Sequence, residues 1–294
     1  MENTRYDYSP IVTREPFKLP HQARIAVWVV PNVEYFDIGL PLPTTVVSES
    51  TVPDVRNYGV RDYGIRIGIW RLMEVLDKHN IKATVALNAA VCDHYPIIIE
   101  EGKKRGWEFM GHGITNSTHL TGLSEVEERQ VIASTLHTIS KAVGERPHGW
   151  LSPGLSETFN TPDILAEEGI KYLCDWCSDD QPYPMKVKKG SIISIPYSLD
   201  MNDIPIFIRQ HLTPEQFYHI VKDQFDILYQ ESAHQARIMA IALHPFVIGV
   251  PFRIGWLDKA LHYIKGHKDV WWATGWEIAS WYYENYMGVE RGQK

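Results

Sequence analysis

Ala26-Val27-Trp28-Val29-Val30-Pro31-Asn32-Val33-Glu34 is the stretch on which the fold turns. Its apolar run has no polar alternation, as a strand covered on both faces requires, and such strands belong to parallel sheets layered with helices. The run closes on Asn32 and Glu34. The same design recurs down the chain. Trp107-Glu108-Phe109-Met110-Gly111 leads to His112 and Asn116, Tyr172-Leu173-Cys174 to Asp175, and Ile238-Met239-Ala240-Ile241-Ala242-Leu243 to His244. Apolar runs that each end in a polar side chain predict an α/β barrel, whose chemistry sits at the carboxyl ends of the strands.

Between these runs lie helical signatures. Ile65, Ile69, Leu72, Met73 and Leu76 repeat at helical spacing. A helix is predicted over residues 95–105, stopped by Gly106. Ser124 and Glu127 form a capping box ahead of a helix that ends at Gly144. Thr161-Pro162 reads as an N-cap followed by proline, and Thr213-Pro214 with Gln216 repeats the capping signature. Further strands are expected at residues 82–87, 148–151, 192–197 and 270–273. The count is about seven to eight strands in a distorted (β/α) barrel spanning residues 1–294 as one domain, with an arm over residues 1–21. Long connections at residues 36–63 and 176–191 leave strand ends and are candidate lids or specificity loops.

Composition narrows the function classes. The chain has 294 residues, 22% charged and 12% aromatic, so it can bury a large core. Lys plus Arg number 29 against 36 Asp plus Glu, a formal charge of −7 without a basic stripe, which argues against nucleic acid as a partner. No apolar stretch is long enough to span a bilayer, and the first residues carry no signal-like segment, so a cytoplasmic location is expected. The three cysteines suit a reducing compartment, and Cys174 and Cys177 read as ordinary thiols.

Glu34 is the leading catalytic candidate. A carboxylate at a buried strand end is desolvated, which raises its pKa toward the range of a general base; the alternative is an ion pair with Arg61 or Arg66. His112, between Gly111 and Gly113, suits metal binding, proton transfer or loop capping. His244 precedes Pro245, which stops the strand, and either moves a proton or binds a carbonyl. The sequence has no serine nucleophile elbow, Walker A loop, G-x-G-x-x-G or H-E-x-x-H. What remains is activated water, a metal, or binding alone.

In order and context these strand ends resemble the polysaccharide deacetylase superfamily, with its NodB-type fold. Its metal-binding members place an Asp-Asp pair after the first strand, where this chain has Asn32-Val33-Glu34. Their H-x-x-x-H corresponds to His112-Gly113-Ile114-Thr115-Asn116, their R-x-P-x-G to Trp150-Leu151-Ser152-Pro153-Gly154, their Asp/Trp segment to Asp175-Trp176, and their closing Leu-His to Leu243-His244. Of the zinc ligands only His112 is kept, fewer than the three protein groups a catalytic zinc normally takes. Tyr63-Gly64-Ile65-Arg66-Ile67-Gly68-Ile69-Trp70-Arg71 is similar to the Tyr-Gly-x-Arg-x-Gly-x-Trp-Arg of a metal-independent branch that opens cyclic amides, with cyclic imide hydrolases nearest and the allantoinase type next.

The resemblance therefore implies hydrolytic ring opening of a small cyclic imide or amide without a cofactor, a divalent metal such as zinc being the runner-up. Glu34 would orient or deprotonate water. His112 and Asn116 would stabilise the oxyanion, and His244 would protonate the leaving nitrogen. Asn32, Arg66, Ser152 and Asp175 are candidate substrate contacts, and Trp150, Trp176 and Tyr197 candidate walls for the ring. Relatives suggest a homotetramer. A metal-dependent polysaccharide N-deacetylase and a non-catalytic sugar-binding barrel are the competing readings.

Overall fold

A computed structural model describes residues 2–42, 46 and 52–287. Part of the connection at residues 36–63 therefore lies outside the described residues. Among them are nine strands: β1 (Ile25–Val33), β2 (Thr84–Leu87), β3 (Glu108–Gly111), β4 (Gly149–Trp150), β5 (Tyr172–Leu173), β6 (Tyr183–Met185), β7 (Ile192–Ser194), β8 (Arg237–Leu243) and β9 (Val270–Trp272). The sheet order is β6-β7-β5-β4-β3-β2-β1-β8, with β9 also paired to β1. Every pairing is parallel except β6 with β7. The α/β fold with a curled, mostly parallel sheet is the one that the apolar runs predict, and it matches the NodB-type fold that the resemblance implies.

The curl stops short of a closed barrel. The outer edge of β8 meets loops: Ile238 N–H donates to the Asp180 carbonyl and Ala242 N–H to the Met201 carbonyl, both at 2.9 Å. β6, inside the connection at residues 176–191, is the strand that the sequence did not predict. Its Tyr183-Pro184-Met185 is short and interrupted by proline, which places it at a sheet edge.

All nine residues of β1 are buried. Side chains alternate across a strand. Ala26, Trp28 and Val30 join Ala86, Met110, Leu151 and Tyr172 in one core inside the curl, whereas Ile25, Val27, Val29 and Val33 join the core beneath the helices. Burying a large apolar side chain contributes roughly 1.5–3 kcal/mol, so a one-residue slip of β1 would cost several such terms. The same alternation carries Asn32 and Glu34 to the inner face, His112 after Met110, and His244 after Ala242.

Helices cover the outside. Those at Glu125–Val143 and Pro214–Glu231 start on the capping boxes of Ser124 with Glu127 and Thr213 with Gln216. Thr161 is the first helical residue and not the cap, which is Asn160. The helix expected from residue 65 starts earlier, as an α-helix over Val55–Tyr63 capped by Asp54, passes through a π turn, Gly64–Gly68, and continues as an α-helix over Ile69–Lys78. The two glycines explain the turn. A Cβ at Gly68 would lie 2.1 Å from the Pro245 carbonyl oxygen, and one at Gly64 2.5 Å from the Phe246 nitrogen. Among the described residues no helix is long and apolar enough to cross a membrane.

Candidate active site

At the carboxyl end of the curl, Glu34 stands between two imidazoles. Its Oε1 lies 3.5 Å from His112 Nε2 and 3.6 Å from His244 Nε2, and Asn116 Nδ2 donates to it at 2.8 Å. The three ionisable residues are buried, with 6, 2 and 5% of their surfaces exposed for Glu34, His112 and His244, so their charges act on one another with little solvent screening.

The two imidazoles differ through the atoms behind them. His112 Nδ1 donates to the Leu151 carbonyl at 2.6 Å. A carbonyl only accepts, so this bond fixes the proton on Nδ1 and leaves the neutral ring's Nε2 as an acceptor facing Glu34. His244 Nδ1 instead donates to Asp203 Oδ1 at 2.7 Å, and its backbone N–H donates to Asp203 Oδ2 at 2.8 Å. Burial depresses the His244 pKa, but Asp203 and Glu34 outweigh it and hold the imidazole above its ordinary value. Burial likewise pushes Glu34 up, as the sequence predicts, yet the charge of His244, the adjacent His112 imidazole and the charge of Arg61 win and its pKa is lowered. Glu34 is therefore a stabilised carboxylate and a weaker base than its burial alone implies.

Asn32 sits beneath this cluster, its Nδ2 within 3.2 Å of the Tyr197 hydroxyl and 3.3 Å of the Leu243 carbonyl. Asp175 borders it after β5, accepting the Ser152 N–H at 2.7 Å. Burial raises Asp175 to about 6, and burial together with the Asp175 charge raises its neighbour Glu157 to about 9. Four buried polar atoms here have no protein partner: Glu34 Oε2, His112 Nε2, Asn116 Oδ1 and Asp175 Oδ2. Buried polar groups are normally paired, so this gathering marks where a ligand's polar atoms are received.

Some predicted site residues lie elsewhere. Arg66 is largely exposed and faces Asp62 at 3.6 Å, because it sits on the outer side of the π turn. Trp150 is fully buried in the helix-side core with Leu136 and Ile164, since it alternates with the inward Leu151 on β4; its indole N–H donates to Ser152 Oγ at 2.9 Å. It does not wall a ring. Trp176 donates to Glu157 at 3.0 Å and packs edge-on against Tyr6 of the arm. Two residues of the site escape sequence reasoning. Asp203 follows β7 by nine positions and Glu157 follows a short turn, so neither ends a strand. Arg61, weighed only as an ion-pair partner, stacks on Phe36 at 4.5 Å and Phe246 at 5.2 Å while its charge reaches Glu34.

The donor set does not fit the zinc of the metal-binding deacetylases. Among the described residues no three His, Cys, Asp or Glu side chains are gathered to hold a metal ion. Asn116, in the position of a metal histidine, turns its N–H groups toward Glu34 Oε1.

Comparisons with known proteins agree with the fold. The family model for polysaccharide deacetylase matches residues 61–173. Over that segment the chain resembles the polysaccharide deacetylase superfamily. These are hydrolases. Over 97% of the chain and 100% of the other, it superposes on the crystal structure of PuuE allantoinase with a TM-score of 0.87 at 26% identity. A probable polysaccharide deacetylase from Pseudomonas aeruginosa PAO1 gives a TM-score of 0.86 at 27% identity, covering 95% of this chain and 98% of that one. A candidate polysaccharide deacetylase of Schizosaccharomyces pombe is 26% identical over 295 residues, 88% of this chain and 90% of its own. The chain is thus similar both to proteins described as deacetylases and to one described as an allantoinase.

Proposed function

We propose that the protein opens the ring of a small cyclic imide or amide by metal-independent hydrolysis of one C–N bond. The observation that carries this reading is a single carboxylate oxygen flanked at 3.5 and 3.6 Å by two imidazoles that their other partners make unlike. One ring offers a lone pair and the other a proton, the two roles a hydrolysis needs. A buried cluster suits a small ring better than a polymer chain, and an imide nitrogen leaves as a stabilised amidate, which lowers the demand for a Lewis acid.

In this mechanism Glu34 and His112 Nε2 each accept a hydrogen from one water. As the water oxygen attacks a ring carbonyl, His112 takes its proton, and the Glu34 carboxylate, fixed by Asn116, balances the charge that develops on the imidazoles. His112 cannot donate to the oxyanion while Nδ1 holds its proton, so the oxyanion donor is a second hydrogen of the Asn116 amide. Collapse breaks the C–N bond, and His244 gives its Nε2 proton to the departing nitrogen. The product is a ring-opened acid amide. General acid–base participation of this kind is worth about 10²–10⁴ in rate.

Chelator-treated protein assayed on succinimide, maleimide, hydantoin, dihydrouracil and allantoin, beside an N-acetylated sugar oligomer, tests the reading. Turnover of at least one ring is expected, with Glu34→Gln lowering kcat by about 10²-fold or more. Activity restored only by added zinc, or confined to the sugar, overturns it.

A further inference from the structure

The side-chain amide of Asn116 is held firmly and used only in part. Its backbone N–H donates to the Tyr35 carbonyl at 2.9 Å, and the Asp37 N–H donates to Ser117 Oγ at 2.8 Å. The loop after β3 is thus tied to the segment that follows Glu34. A carboxylate only accepts, so Glu34 turns the amide nitrogen toward itself, at 2.8 Å, and the amide oxygen away. That bond uses one of the two amide N–H groups. The oxygen, Oδ1, is buried with no hydrogen-bond partner among the described residues. A water between Glu34 and His112 satisfies their open acceptors, but it leaves Asn116 Oδ1 in want of a donor. Buried polar atoms are normally paired, so the missing donor belongs to a ligand.

We propose that Asn116 selects substrates by the cis-amide edge of a small ring: its second N–H donates to the carbonyl under attack, and Oδ1 accepts from the N–H of the adjacent ring nitrogen. A small ring holds C=O and N–H on the same side, which is the arrangement a carboxamide pairs with through its own oxygen and N–H. Open-chain secondary amides, N-acetyl sugars among them, hold the two groups on opposite sides, and turning one to cis costs about 10²-fold or more in population. A lactone sets an oxygen against Oδ1 and leaves a buried acceptor unpaired. The residue that stands where the metal-binding deacetylases keep a histidine thus reads the ring. Its part in catalysis rests on the hydrolytic reading above, whereas its recognition of the ring is measurable without turnover.

Pyrrolidinone and butyrolactone, rings of one shape that differ by N–H against O, provide the test beside N-methylacetamide, an open trans amide. Dissociation constants from ligand-observed NMR on the intact protein are expected to favour pyrrolidinone over each of the others by about tenfold or more. Asn116→Ala is expected to bind the two rings alike. Equal binding of the two rings to wild type overturns the inference, as does equal binding of pyrrolidinone and N-methylacetamide. A preference that survives in Asn116→Ala overturns it as well, because another group then reads the N–H. The wild-type comparison decides the matter even where the variant does not fold. A preference for pyrrolidinone in a protein that opens none of the rings overturns only the hydrolytic reading. Ring opening by a wild type that binds the two rings alike overturns only the pairing.

Discussion

Asp203 decides the charge state of His244, and its effect is open to direct measurement. If His244 must be protonated to release the leaving nitrogen, activity falls as pH rises through its pKa, which lies above the ordinary imidazole value of about 6.5. If Glu34 must be ionised, activity falls as pH drops through a pKa held below the usual carboxylate range. The expected profile is a bell with both limbs pushed outward. Asp203→Asn removes the largest influence raising His244, so the alkaline limb should move to lower pH while the acid limb stays; kcat/KM measured across pH with an unmoved alkaline limb would remove His244 as the acid. Glu34, His112, Asn116 and His244 were legible as residues because each follows an apolar run. Trp150 misled because its burial, not its type, decides its role, and a two-residue alternation from the inward Leu151 would have placed it outside. Asp203 was not legible, since it caps the π helix Ile204–Arg209 just after a bridge from Asn202 to Ala242, and that pairing leaves no local signature.

At the scale of elements, the Tyr63–Arg71 motif packs behind His244, the acid of the proposed mechanism, at one remove. Its glycines let the π turn Gly64–Gly68 press against backbone at Pro245 and Phe246, immediately after His244, and Arg71 donates to the Gly249 carbonyl at 3.0 Å. Gly68→Ala should therefore displace the His244 backbone. Overpacking typically costs about 1–3 kcal/mol, and here the loss of activity should exceed what the loss of stability explains. Denaturant unfolding together with kcat on the folded variant checks this; a folded variant with wild-type kcat would show that the close approach is incidental. The helices with capping boxes were readable because side-chain hydrogen bonds at their starts are local. β6 and the curl's missing closure were not, because pairing between distant segments leaves no local signature.

For the whole molecule, the arm is part of the wall. Arg14 bonds Asp179 through both carboxylate oxygens, at 2.8 and 2.5 Å, and Lys186 N–H donates to the Arg5 carbonyl at 2.6 Å. Between the arm, this loop and β8 lies a cavity of about 1200 Å³, lined by Tyr197, whose hydroxyl bonds Asn32 beneath the candidate cluster. Charge-assisted bonds of this kind contribute about 1.5–3 kcal/mol each. Arg14→Ala should expose the arm to limited proteolysis ahead of the rest of the chain, while an unchanged cleavage pattern would mean that the arm is held elsewhere. The incomplete curl has a mechanical meaning as well. On its outer side β8 is held by the two backbone hydrogen bonds to Asp180 and Met201 and a single bridge between Asn202 and Ala242, not by a ladder, so the sheet yields most cheaply there. Any widening along that seam separates the Asp180 and Met201 carbonyls from β8, and with them the segment that carries Asp203. On the proposed mechanism, the gap that would admit a bulkier ring is thus the same one that unclamps His244: tolerance for substrate size and readiness of the acid would be set by one joint.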